Sequence, residues 1–187
     1  MRTGLGSRFL LSLLMTLLAT VIILVGAGYA VTRLAVQQPH DPFRTGSFEF
    51  DLAPGWWCEL EGTEYVCNPP GKPPYSAIAI MAVKERGNDD NLQAYEAHLR
   101  QPQAATDQAG DSKLSVVSYV KRVRLGHVEW VEALQLGSEI PNYHTYYLAT
   151  ATSYLGILVT MSVHQDREAT YVQQLQDMMS TLNVYQH

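Results

Sequence analysis

Residues 154–184 read YLGILVTMSVHQDREATYVQQLQDMMSTLNV, and the repeat of their apolar residues changes once along the way. Leu155 to His164 has the length and composition of a strand. From Asp166 onward Tyr171, Leu175, Met178, Met179 and Leu182 recur at the spacing of one helix face, while Asp166 and Glu168 sit where the helix dipole favours negative charge. A strand running directly into an amphipathic helix needs a core built from both. The Met and Leu stripe is therefore read as core, not as a cofactor surface.

Working outward, strand patterns dominate. Phe48, Phe50 and Leu52 alternate with Glu49 and Asp51 before the turn residues Pro54 and Gly55, and Ser76 to Lys84 carries Ile78, Ile80 and Val83. Asp89 or Asp90 is placed to cap a helix with Leu92, Tyr95 and Leu99 on one face, ending before Pro102. Leu114 to Leu125 and Val128 to Leu136 read as strands joined at Gly126; Tyr143 to Ala151 and Leu155 to His164 read as two more, turning near Gly156. The order predicts an α+β fold: an antiparallel β-sheet with flanking helices.

The only two cysteines lie in WWCELEGTEYVC, residues 56–67. If Gly62-Thr63 form a two-residue turn of the type that takes glycine first, Glu61 faces Glu64, Glu59 faces Val66 and Cys58 faces Cys67. That makes the cysteines a non-hydrogen-bonded pair with Cα atoms roughly 4.5 Å apart, within disulfide range. A redox pair would favour C-x-x-C, and zinc would need two further ligands that nothing nearby supplies. A structural disulfide Cys58–Cys67 is expected. Glu59, Glu61 and Glu64 read as a solvated hairpin tip.

Such a bond calls for an oxidising compartment. Phe9 to Val31 is an uncharged run of 23 residues, a helix of roughly 35 Å that can cross a hydrocarbon core of about 30 Å. Arg2 and Arg8 precede it, so the amino terminus stays cytoplasmic and the remainder is exported. The division expected is 1–8 cytoplasmic, 9–31 a transmembrane signal anchor in the lipid bilayer, 32–45 a tether and 46–187 an extracytoplasmic domain, with a bacterial inner membrane and periplasm as its setting. Cleavage after Ala30, which follows a small-x-small pattern, is the alternative. All 18 Asp and Glu lie beyond residue 40, against ten Lys and Arg there, for a net charge of −8. That balance excludes a nucleic-acid partner, which would need clustered positive charge.

FEFDLAPGWW (48–57), LGHVEW (125–130) and the stretch from Tyr154 to Val184 resemble the PsbP-like superfamily, in particular its bacterial DcrB-like members. The resemblance spans most of Phe48 to Val184 and rests on an aromatic strand, a Pro-Gly-Trp turn, a Gly-turn-Trp hairpin and a strand before the terminal helix. It implies a three-layer α/β/α sandwich and a class of binding and assembly factors: lumenal photosystem subunits, a Ran-binding import factor and secretion-effector chaperones are relatives by fold. Fold alone does not choose among such roles.

No phosphate-binding glycine loop, G-x-S-x-G turn or zinc-protease helix occurs. His127, His144 and His164 fall in strand-like segments where facing imidazoles could hold a metal, without sequence-local spacing to support it. Aromatic residues offer a binding surface instead: Trp56, Trp57, Tyr143, Tyr146 and Tyr147 are the candidate partner or ligand contacts, with Tyr143 and Tyr147 on one strand face and Tyr146 on the other. The expectation is a non-catalytic, membrane-tethered binding or assembly module without a cofactor, whose partner is another membrane or periplasmic protein. A small-ligand or metal carrier, or a periplasmic hydrolase using sheet-borne His and Glu, is the alternative.

Overall fold

The computed structural model describes residues 42–106, 112–137 and 140–185, all within one compact unit, His40–His187. Its centre is a seven-stranded sheet of β3 (Trp57–Glu61), β4 (Glu64–Asn68), β5 (Ala77–Glu85), β8 (Val116–Leu125), β9 (Val128–Leu136), β10 (Tyr143–Ala151) and β11 (Leu155–His164). The spatial order is β3-β4-β5-β11-β10-β9-β8, and every pairing is antiparallel. Two meanders, β3-β4-β5 and β8-β9-β10-β11, thus meet at the β5–β11 seam.

Helix α1 (Leu92–Leu99) lies on one face of the sheet, and α2 (Glu168–Ser180) lies on the other. A smaller sheet joins α2: β1 (Pro42–Arg44) and β12 (Asn183–Val184) flank β2 (Phe48–Asp51), while β6 (Ala104–Thr106) and β7 (Ser112–Leu114) pair as a two-stranded ribbon. The expected α+β class holds. The first expected strand, however, belongs to this separate sheet, and β1 falls inside the stretch expected to be a tether. Phe43, Phe48 and Phe50 explain both departures: their rings pack together and two of them meet Tyr65 of the main sheet at 5.4–5.5 Å, burying surface that a free tether would leave in water.

The main core forms between the α2 face and the sheet. Trp130, Tyr146, Leu148, Ile157, Val159 and Met161 meet Leu175, Met178, Met179 and Leu182, all buried. This is the stripe read from the terminal helix. Its N-terminal end is prepared by a 3₁₀ turn at Gln165–Arg167, before Glu168 places its carboxylate in the first turn.

Two local expectations are corrected. The N-cap of α1 is Asn91, whose side-chain oxygen accepts from the Ala94 N–H at 2.9 Å; Asp90 is engaged elsewhere. The β10–β11 turn lies at Thr152–Tyr154, where the Thr152 hydroxyl accepts from the Leu155 N–H at 2.9 Å. Gly156 is within β11, opposite Ala151, and its glycine is explained by packing, since a Cβ there would come to 2.8 Å from the Tyr95 hydroxyl. Gly126 does form the β8–β9 turn, with φ +58°, and a side chain there would also collide with the Ser180 carbonyl.

The β3–β4 hairpin has the register anticipated. Cys58 faces Cys67 and Glu61 faces Glu64 around Gly62, whose φ is +63°. The cysteines are bonded, with Cα atoms 4.1 Å apart. Among the described residues no helix is long and apolar enough to cross a membrane; the run Phe9–Val31 lies outside them.

Replacing both cysteines (Cys58→Ser, Cys67→Ser) should lower the unfolding free energy by about 2 to 3 kcal/mol, the effect of opening so short a loop. Denaturant melts of the oxidised and double-variant chains check this. Equal midpoints would mean that the bond does not stabilise the fold.

Candidate functional site

Cross-strand register assigns every side chain of the main sheet to one of two faces. Cys67, Ala79, Met161 and Tyr146 are successive partners across the sheet and lie on the α2 face. Val66, Ile80, Thr160, Tyr147 and Ala133 form the adjacent row and point the other way. On that second face α1 lies chiefly over the strands from β10 to β8, with Tyr95 reaching Gly156 of β11: Leu99 packs with Val131, Ala133 and Ala149, supported by Leu92 and Tyr95.

Helix α1 is clamped at both ends. Gln135, fully buried on the second face, donates from Nε2 to the carbonyls of Leu99 and Gln101 at 3.2 and 3.3 Å, and its Oε1 accepts from the Ser115 hydroxyl at 2.6 Å. At the other end the buried Asp90 carboxylate accepts from Lys84 Nζ at 2.9 Å, the Gly87 N–H at 2.7 Å and the Tyr95 hydroxyl at 2.9 Å. The Lys84 ammonium, with those two donors, holds the Asp90 carboxyl at about 2, well below its ordinary 3.8. Burial and the Asp90 carboxylate push the Tyr95 phenol up to about 12.

Beyond this clamped helix the described residues leave the second face as a trough. Its floor is Val66 of β4, Ile78, Ile80 and Ala82 of β5, and Leu158, Thr160 and Ser162 of β11. Leu158 is 39% exposed, which is unusual for a leucine on a central strand. A cavity of about 570 Å³ lies between α1 and the hairpin, lined by Glu64, Ala82, Lys84, His98, Leu99 and Leu158. A second, of about 400 Å³, continues along the same strands past Ile78, Ile80, Thr145, Tyr147, Thr160 and Ser162. The Ser162 hydroxyl is buried and has no hydrogen-bond partner among the described residues.

One long side of the trough is acidic. The register puts Glu59, Glu61 and Glu64 on the trough face together with Trp57 and Val66, and all three carboxylates are exposed. Among the described residues none of them is in an ion pair, while Lys84, the nearest basic residue of the lining, is held by Asp90. The hairpin tip read as merely solvated is the rim of a concave apolar surface.

The predicted aromatic contacts divide. Trp57 is 40% exposed on the trough side of β3. Tyr147 is half-buried in the wall of the second cavity, where burial raises its phenol pKa. Tyr143 shares its face and donates from its hydroxyl to the Tyr75 carbonyl at 2.9 Å. Trp56 and Tyr146 are instead buried in the main core. Trp56 Nε1 donates to Gln174 Oε1 at 2.9 Å and its ring meets Tyr171 edge-on at 5.9 Å; both are structural. Alternation across a chain packed on one face only buries one of two adjacent residues, so "WW" supplies one core ring and one surface ring.

The polar groups of the α2 face hold structure together. Glu132, 1% exposed, accepts from the Tyr119 hydroxyl at 2.8 Å, from Lys121 Nζ at 3.1 Å and from Gln176 Nε2 at 3.0 Å. Burial and this carboxylate drive the Tyr119 phenol pKa upward. The histidines do not converge. His144 bonds to Glu168 at 2.5 Å on the α2 face, His164 lies on the other face beside Tyr143, and His127 is exposed at the β8–β9 turn. No group of three potential metal ligands forms among the described residues.

No protein-family model and no curated protein matches this sequence. Solved structures do. Cyanobacterial PsbP (CyanoP) from Synechocystis is 14% identical with a TM-score of 0.52, covering 80% of this chain and 95% of its own. LpqN of Mycobacterium tuberculosis, involved in cell envelope biogenesis, is 11% identical with a TM-score of 0.50, covering 81% and 88%. A protein from Bacteroides thetaiotaomicron is 10% identical with a TM-score of 0.55, covering 75% of this chain and 46% of its own, so the chain spans less than half of that protein. At these identities the likeness establishes a PsbP-like fold.

Two outcomes follow. Trp56→Ala should cost about 3 to 5 kcal/mol, as loss of a core aromatic does, whereas Trp57→Ala should stay within about 0.5 kcal/mol; denaturant melts separate the two. The Asp90 contribution to stability is fully present above its unfolded value near 3.8 and is lost as pH falls from there through about 2. Asp90→Asn should therefore flatten the dependence of the unfolding midpoint on pH between 4 and 2, and an unchanged slope would remove Asp90 from the acid response.

Proposed function

We propose that this chain is a membrane-tethered, extracytoplasmic binding or assembly module that works by protein contact and not by catalysis. The observation that carries the reading is the trough: a sheet face with an apolar floor, left open among the described residues beside a clamped helix and bordered by three carboxylates that none of those residues pairs. Exposed concave apolar surface of this kind marks interaction sites. The PsbP-like fold is consistent with such a role, and the DcrB-like membrane-anchored members are the branch the sequence resembles.

The setting is inferred from covalent chemistry and hydropathy. A cross-strand disulfide persists where the surroundings oxidise thiols, and the run at 9–31 is long enough to hold the chain in a lipid bilayer. Together they support a bacterial inner-membrane protein with a cytoplasmic amino terminus and a periplasmic domain. A second reading, a carrier of an apolar small molecule, draws on the 570 Å³ cavity, which is within the size range of ligand sites.

Full-length chain should remain in the membrane pellet after alkaline carbonate, lose its carboxyl-terminal domain to protease added to spheroplasts, and yield one stoichiometric neighbour on crosslinking. A protease-resistant domain would sink the periplasmic placement. Repeated crosslinking without any neighbour would sink the assembly role.

A further inference from the structure

The open half of the second face has the dimensions of a missing helix. From β3 to β11 there are three strand spacings, roughly 14 Å in all, beside α1. A helix with side chains is about 10 to 12 Å across. Along β11 the floor beyond α1 runs from Leu158 to Ser162, roughly 14 Å at about 3.4 Å per residue, the length of a helix of about nine residues. One more helix, lying beside α1, would complete the layer that α1 begins.

The rim determines which helix. Glu59, Glu61 and Glu64 project from the hairpin onto the trough side, and the disulfide two positions before Glu61's neighbour Leu60 fixes the register that aligns them. Their charge is uncompensated among the described residues. An occupant carrying carboxylate or phosphate would face like charge along one whole side, which disfavours fatty acids and anionic lipid headgroups. Lys or Arg on the flank of an apolar stripe would meet opposite charge.

We propose that the trough docks an amphipathic helix of a partner protein, with its apolar stripe on Ile78, Ile80, Ala82 and Leu158 and a basic flank against Glu59, Glu61 and Glu64. The inference rests on the binding-module reading and specifies the chemistry of the partner surface. Recognition of this kind reads anchors at i, i+3, i+4 and i+7 from the bound helix.

The probe is a pair of labelled 18-residue synthetic helices with the same leucine stripe, one with lysines and one with glutamates along the flank. Each is titrated onto the full chain in phosphatidylcholine nanodiscs, with empty nanodiscs as the blank. The lysine helix should bind and the glutamate helix should not. Affinity should fall about tenfold when Glu59→Gln, Glu61→Gln and Glu64→Gln are combined, the sum expected of three exposed ion pairs, and should weaken as salt is raised. Leu158→Asp should also abolish binding; the triple variant, changed only at exposed positions, keeps the test independent of any damage to the sheet. Equal binding of both helices, no binding of either, or indifference to the triple variant overturns the proposal. So does displacement of the lysine helix by palmitate, which would make the trough a lipid site, or crosslinking from a photoreactive residue at position 158 into residues 9–31 of the same chain. In native membranes, a stoichiometric neighbour captured from position 154 but never from 158 would overturn this docking site while leaving the binding-module reading intact. Lysine-helix binding without any captured neighbour would do the reverse.

Discussion

The hydrogen bonds of Gln135 decide the layout of the second face. A fully buried amide must find partners or incur a penalty of several kcal/mol, and this one finds them in Ser115 and in two carbonyls at the end of α1. The last turn of the helix is thereby held over β9. Asp90, gripped by Lys84, Gly87 and Tyr95, holds the first turn near β5 and β11. An eight-residue helix fixed at two points cannot slide to share its cover across seven strands. The uncovered strands follow from those polar contacts as much as from any shortage of apolar sequence.

The two faces solve opposite problems. On the α2 face the apolar residues of the central strands are enclosed, Leu60 of the edge strand remaining exposed, and the charge that enters is neutralised: Glu132 meets an ammonium, a phenol and an amide, so its burial leaves no lone group. On the α1 face, among the described residues, the apolar floor is open and the neighbouring carboxylates are left unpaired. A folding core has every reason to avoid that combination; a binding surface is compatible with it.

Much of the architecture could be read from the chain because it depends on local repeats. The strand pairs, the hairpin register and the stripe of the terminal helix all follow from spacing, and the bond between Cys58 and Cys67 follows from counting outward from Gly62. What could not be read depends on which layer covers which strand. Ile78 and Ile80 alternate with Ala77, Ala79 and Met81, so β5 is apolar on both sides, and sequence pattern alone cannot say which side receives a helix. For the same reason Trp56 and Trp57 were indistinguishable until the packing of Tyr171 and Gln174 was known. The separate sheet was hidden too, because β12 is only two residues long, and its pairing with Phe48 and Glu49 spans nearly the whole domain.

That small sheet has a further consequence. β1, the first described strand, and β12, the last, lie on either side of β2, two strand spacings or about 10 Å apart. The chain runs into β1 at Pro42, paired with Asp51, and out of β12 at Val184, paired with Phe48, so the two junctions sit at opposite ends of β2 but within one small sheet. With both junctions on this small sheet, a new leader or a following module can be attached without cutting a strand of the main sheet.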